Sequence, residues 1–221
     1  MKLSIVTTLF GSASYIQEFF EKVSLAAKEF AGDDFEIIFV NDGSPDNSLK
    51  IASEIAQREP RLSIIDLSRN FGHHKSMMTG LAHSNGEFVF LIDCDLEEDV
   101  NWLLHFGTKL ASENADMVFG YQESRKGSFF EKFTGFVFYK ALSLFTDINH
   151  PPNITTARLM TRRYVKALVS HGERELNIGG LWWVTGFKQV SFQVKKLSSS
   201  PTTYTFKKKL SHIGNAITSF S

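Results

Sequence analysis

The densest chemistry in this chain lies in LIDCDLEEDV, residues 91–100, where an apolar run from Phe88 to Ile92 leads straight into Asp93, Asp95, Glu97, Glu98 and Asp99. Like charges a few ångströms apart raise one another's pKa and destabilise a fold unless something positive sits among them. In extended backbone, residues two apart share a side, so Asp93 and Asp95 offer two carboxylates to one cation while Cys94 turns inward. Oxygen-only ligands suit Mg²⁺ or Mn²⁺, and Mg²⁺ is usually held by one or two carboxylates plus substrate phosphates. Glu97 continues the spacing and can complete such a site. Taken alone, an acidic turn is more often a solvated loop or a helix cap, and Glu98 and Asp99 read as the cap of the next helix.

A second candidate is VNDGSPDNS, residues 40–48. Asn41 and Asp42 can form an Asx turn, with Asp46 capping a helix. An aspartate closing a strand is also a natural reader of a nucleotide base, since its acceptors match the imide N–H of uracil. Neither a G-x-G-x-x-G nor a G-x-x-x-x-G-K-[ST] pattern occurs, so dinucleotide and P-loop binding have no support. His73 and His74 are adjacent, point apart and lack the i, i+4 spacing of a helical metal pair; they read as loop residues, with Lys75 opening a helix. Trp182 and Trp183 suit packing first, and stacking on a sugar or a membrane boundary second.

The elements that must position these residues alternate along the chain. Strands are expected at Leu3–Thr8, Phe35–Val40, Leu62–Leu67, Phe88–Ile92 and Asp116–Gly120. Between them lie helices from Ile16 to about Phe30, from the NDGSPDNS cluster to about Arg58, from about Lys75 to Ala82, and from Val100 to Ser112. This order predicts an α/β fold with a mostly parallel sheet covered by helices on both faces. Ligands in such sheets collect at the carboxyl ends of the strands, where the polar stretches beginning at Thr7, Asn41, Ser68 and Asp93 all fall. Beyond Tyr121 the pattern changes. Phe129–Phe145 is aromatic nearly all round, which fits a core helix or one lying in a membrane interface. HPPN at 150–153 breaks the chain, and the remainder, with GGLWWVTGF and a strand near Gln189–Val194, reads as a smaller appendage. Residues 1–197 form the expected catalytic domain and 198–221 a basic juxtamembrane or linker segment.

Lys plus Arg and Asp plus Glu both number 24, so net charge gives no reason to expect a nucleic-acid partner. The charge is unevenly placed, because six lysines and no acid follow Glu175, giving +6 to the last 46 residues and −6 to the first 175. A basic end of this kind suits an anionic partner such as a membrane surface, or else forms a solvated tail. The single cysteine, Cys94, rules out an internal disulfide and fits a reducing compartment. No signal peptide is evident, and no stretch reaches the roughly 18 apolar residues that a spanning helix needs. The expected location is therefore the cytoplasmic face of a membrane, held peripherally or by a segment outside this sequence.

Taken in order, SIVTTLF, NDGS, SRNFGHHKSMMTGL, DCDLEED, the basic SRK at 124–126, ARLMTRR at 157–163, GLWWVTGFKQV and TSFS resemble the family 2 glycosyltransferases of the GT-A fold. Within them the ensemble is similar to the polyprenyl-phosphate glycosyltransferases, the dolichol-phosphate mannose synthase and undecaprenyl-phosphate sugar transferase group. The resemblance implies a nucleotide-sugar donor, a polyprenyl phosphate acceptor, a Mg²⁺ or Mn²⁺ cofactor and a membrane surface as partner, and it is compatible with a homo-oligomer.

Carried over by position, the resemblance implies that Asp42 contacts the base while Thr7 and Thr8 line the same pocket, and that Ser44, Asn70, Gly72, His73 and Lys75 contribute to the donor site. Asp93 would sit against the donor and Asp95 would bind the metal that bridges the diphosphate, with Glu97 standing where many relatives have Gln. Arg125 and Arg158, with Lys126 and Lys132, are the cations expected to hold an acceptor phosphate, for which the bidentate Arg fork is suited. TTLFGSASY departs from the Pro and Tyr-Asn-Glu that many relatives carry after the first strand, so the base contacts stay open. Two rival readings stand beside this one. A saccharide hydroxyl acceptor would need a general base, for which Glu173 or Glu175 is available, and a nucleotide-sugar-binding subunit would need no turnover at all.

Overall fold

In the computed structural model, which describes residues 1–123, 153–172 and 178–197, the strands expected from apolar runs form, and helices cover both of their faces. The elements run β1 (Leu3–Leu9), α1 (Ile16–Ala31), β2 (Phe35–Asn41), α2 (Ser48–Ala56), β3 (Leu62–Asp66), α3 (His73–His83), β4 (Phe88–Leu91), α4 (Trp102–Glu113), β5 (Met117–Tyr121), β6 (Ile154–Thr161), α5 (Arg162–Ser170), α6 (Ile178–Val184) and β7 (Gln189–Gln193). One sheet of seven strands results, in the order β3-β2-β1-β4-β6-β5-β7. Only β6 runs against its neighbours β4 and β5; every other pairing is parallel.

The alternation of side chains along β1 divides the core in two. Leu3, Ile5 and Leu9 face α1 and α4, packing with Phe19, Val23, Leu103 and Phe106. Val6 faces the other way, into a second cluster with Met77 and Leu81 of α3, Tyr164 and Leu168 of α5, and Trp182 of α6. Gly80 lets α3 lie close on the sheet, since a Cβ there would sit 2.4 Å from Cγ1 of Val6. That close seat carries the first turn of α3 to the end of β1.

β1, β2 and β3 step outward to one side, and α3 then returns the chain across β1 to β4. The loops leaving β1 and β4 therefore diverge at their carboxyl ends, the topological switch point at which open α/β sheets bind ligands.

The segment after the break is part of the same sheet rather than a separate layer. β6 inserts between β4 and β5, pairing Leu91 with Arg158 and Phe119 with Arg158, and β7 closes the edge beside β5. An arginine in the middle of ITTARLMT interrupts the apolar run that marks the other strands, and this concealed β6 in the sequence. Trp182 packs into the second core and Trp183 meets Phe119 edge to face, so both are packing residues here. The Phe129–Phe145 helix and the 198–221 segment lie outside the described residues. Among the described residues, no helix is long and apolar enough to cross a membrane.

Candidate active site

The loop after β2 is fixed by its own polar side chains. Asn41 donates to Asp66 at 2.8 Å and accepts from the Ser44 N–H at 3.3 Å, while the Ser44 hydroxyl donates to the Leu9 carbonyl at 3.1 Å. Asp46 accepts from the Ser48 and Ala13 N–H groups, which fastens the first turn of α2 to the loop after β1, while the N-cap position itself falls to Asn47. Gly43 has φ +62°, and a Cβ there would lie 2.6 Å from the Asn70 nitrogen. Only glycine permits the loops after β2 and β3 to touch in this way.

Asp42 completes that contact. It is buried, and its two carboxylate oxygens accept the Phe71 N–H at 2.7 Å and the Gly72 N–H at 3.0 Å. The carboxylate thus holds the entry to α3, whose N-terminal dipole favours a negative charge. Each oxygen keeps a second lone pair for an incoming N–H. α3 begins at His73, two residues before the expected start at Lys75, because this clamp brings Gly72 and its neighbours into the cap. His73 is consequently a helical residue and bridges two strand ends, with Nδ1 3.0 Å from Thr8 Oγ1 and Nε2 3.4 Å from Asp93 Oδ1. Asn70 and Lys75 are exposed at the same rim.

Thr7 and Thr8 do not line one pocket. Adjacent strand residues point to opposite faces. Thr8 reaches His73, whereas Thr7 is fully buried and its hydroxyl has no hydrogen-bond partner.

β4 ends at Leu91, so Asp93 and Asp95 sit in a turn rather than in extended backbone. Leu96 adopts φ +59°, an unusual left-handed conformation for a non-glycine residue, within a turn where the Glu97 N–H donates to Asp95 Oδ1 at 3.0 Å. Cys94 faces inward as expected, and burial pushes its thiol pKa up. Burial also raises the Asp95 pKa, with the neighbouring Asp93 and Glu97 charges adding to it.

Two acids behave differently from the sequence reading. Glu98 is not a solvated cap: it is 1% exposed, accepts the Thr156 N–H of β6 at 2.8 Å, and is pushed up to about 8 by burial and then by Asp93. Asp99 accepts the Asn101 N–H at 2.9 Å in the turn before α4, whose N-cap position is taken by Asn101 with no side-chain cap. Glu97, expected to face a cation beside Asp95, pairs its carboxylate with Lys196 at 3.0 Å. Nothing local announces Lys196; it follows Glu97 by 99 residues and reaches the turn only because β7 closes the sheet edge.

Arg158, expected as an open phosphate grip, is enclosed. It is 1% exposed, its Nη1 donates to the Thr155 and Thr156 carbonyls at 3.1 and 2.8 Å, and its guanidinium lies over the Trp182 ring. Burial lowers its pKa to about 9, opposed by Tyr164, Glu98 and Asp93. It remains cationic at neutral pH, and its charge interacts with those of Glu98 and Asp93 in the acidic turn. Arg125, Lys126, Lys132, Glu173 and Glu175 lie outside the described residues.

The residues at the turn fit a hard divalent ion. Asp93, Asp95, Glu97 and Glu98 are set against two cations, Lys196 and Arg158, and Glu98 retains an oxygen with no hydrogen-bond partner. Among the described residues, no three His, Cys, Asp or Glu side chains form a complete protein cage. Asp93 and Asp95 with phosphate oxygens completing the shell is the arrangement Mg²⁺ favours.

Residues 4–169 match the family model of glycosyl transferase family 2. This chain belongs to that family. A Mycobacterium tuberculosis (strain CDC 1551 / Oshkosh) protein whose name places it among the glycosyltransferases is 49% identical over 221 residues, covering 100% of this chain and 64% of its own length. The bactoprenol glucosyl transferase of Shigella phage SfV is 31% identical over 188 residues, covering 84% of this chain and 61% of its own. This family 2 chain thus spans less than two thirds of the length of these relatives. The crystal structure of glucosyl-3-phosphoglycerate synthase from Mycobacterium tuberculosis in complex with UDP superposes with a TM-score of 0.64 at 16% identity, covering 98% of this chain and 79% of that one. The fold is GT-A.

Proposed function

We propose that this family 2 domain transfers a sugar, with inversion and with the help of a divalent metal, from a UDP-sugar to a polyprenyl phosphate at the cytoplasmic face of a membrane. The observation that carries the reading is the acidic turn of Asp93 and Asp95 at the carboxyl end of β4, tied through His73 to the end of β1. The relative named for bactoprenol supports the acceptor class, the UDP-bound neighbour supports the donor class, and Lys195 with the KKK run at 207–209 suits an anionic surface.

Charge grows on the β-phosphate as the bond from the sugar C1 to the diphosphate oxygen breaks. Mg²⁺ or Mn²⁺ held by Asp95, with Asp93 beside it, would supply neutralisation of that charge. Asp42 fixes the wall of the donor site by gripping the 71–72 backbone, and its spare lone pairs suit the base. His73 orients Asp93. Arg158 adds a fixed positive field, and Arg125 remains the candidate for direct contact with the acceptor phosphate. The acceptor oxygen is already anionic, so a single displacement forms the new bond to C1 without a general base.

The test is transfer of radiolabel from UDP-sugars and GDP-sugars to undecaprenyl phosphate with Mg²⁺ or Mn²⁺. Label entering the organic phase from a UDP-sugar is the expected result. Label that stays aqueous and appears on an added saccharide would favour the hydroxyl acceptor, and binding without any product would favour the non-catalytic subunit.

A further inference from the structure

We propose that Lys196 is a built-in competitor of the divalent ion: it withholds Glu97 from the metal and sets how tightly the acidic turn binds it. This rests on the reading that Asp93 and Asp95 face a metal-bound diphosphate.

Lys196 is held in place from both sides. The Val194 N–H donates to the Tyr121 carbonyl at 2.9 Å and the Leu197 N–H donates to the Glu97 carbonyl at 2.8 Å, so the backbone that carries Lys196 is fastened to the end of β5 and to the acidic turn itself. Its ammonium lies 3.0 Å from Glu97 Oε2 and 3.9 Å from Glu98 Oε1. The Lys196 side chain is 26% exposed and that of Glu97 12%, so the pair is shielded from most of the water that weakens surface ion pairs. Burial works against the Lys196 charge, and the Glu98 and Glu97 carboxylates overcome it, leaving the pKa above its ordinary range. Lys196 is therefore a permanent cation at neutral pH.

Two consequences follow. Glu97, the residue whose two-residue spacing marks it as a third ligand, has its carboxylate committed to the ammonium. A divalent ion at Asp93 and Asp95 also lies within reach of a fixed like charge, which lowers the affinity of the turn for the ion.

The experiment is a titration of the 221-residue chain with Mn²⁺, reading free Mn²⁺ by electron paramagnetic resonance, for the parental protein, Lys196→Met, and the double variant Glu97→Gln with Lys196→Met. Lys196→Met is expected to bind Mn²⁺ about tenfold tighter, the scale of one unit charge acting on a divalent ion several ångströms away through a high effective dielectric. The double variant removes both members of the pair, leaves neither charge unpaired, and is expected to return to within about twofold of parental affinity. If the parental protein binds Mn²⁺ and Lys196→Met binds no tighter, the role of Lys196 is overturned while the proposed function stands. A double variant that binds about tenfold more weakly than the parental protein would make Glu97 itself a ligand and overturn the inference. Should none of the three bind Mn²⁺, the metal reading fails together with it.

Discussion

His73 and Asp93 meet across the mouth of the sheet, Nε2 to Oδ1 at 3.4 Å, while the other ring nitrogen of His73 lies 3.0 Å from Thr8 Oγ1. One side chain on the first turn of α3 thereby links the ends of β1 and β4, the two strands whose loops diverge at the switch point. A side chain that orients a ligating carboxylate is typically worth about 10–100-fold in activity or metal affinity. His73→Ala is expected to lower transfer by that factor with an unchanged unfolding midpoint, since its side chain is 46% exposed. Steady-state transfer assays and thermal melts on the same preparations check both parts.

Asp42→Asn tests the clamp on the 71–72 backbone. The amide keeps one acceptor oxygen and turns its NH₂ toward the other N–H, leaving a buried donor unsatisfied. A loss of roughly 1–3 kcal/mol is expected in urea unfolding, together with weakened UDP binding by calorimetry.

Arg158→Met separates field from packing. Among the described residues no carboxylate lies within ion-pair distance of Arg158, a buried charge so placed adds little to stability, and a methionine of similar length fills the space over Trp182. The variant is expected to melt at or above the parental temperature while transfer falls at least tenfold. Collapse of the fold would instead make Arg158 a structural residue.

Asp116, just before β5, is expected to contribute to acid stability. Burial alone would raise its carboxyl pKa, but hydrogen bonds from Arg163 and Thr161 hold it below the ordinary 3.8. The unfolded chain takes up this proton first as pH falls, so the contribution is complete above about pH 5 and disappears as pH drops through the folded value. Asp116→Asn is expected to be less stable than the parental protein at pH 7, with the difference shrinking below pH 4 in denaturant titrations.

Much of this was legible in the sequence because its causes are local. Continuous apolar runs marked β1 to β5, and the acid-rich end of β4 and the turn residues after β2 lay where an α/β sheet puts its ligands. The missed features depend on partners distant in the chain. β6 hid behind Arg158, which only the two flanking strands and Trp182 can bury. Glu98 looked like a cap until β6 supplied the Thr156 N–H, and Lys196 looked like part of a basic tail until β7 carried it to Glu97. The resemblance implies one pocket for Thr7 and Thr8, although adjacent strand residues face opposite layers.

The most direct measurement is a crystal structure of the chain grown with UDP and Mn²⁺, with the metal located by its anomalous scattering. A metal-bound diphosphate at this site predicts manganese bound by Asp95 at the end of β4 and the uracil of UDP at Asp42. Manganese or UDP found away from that turn would contradict it.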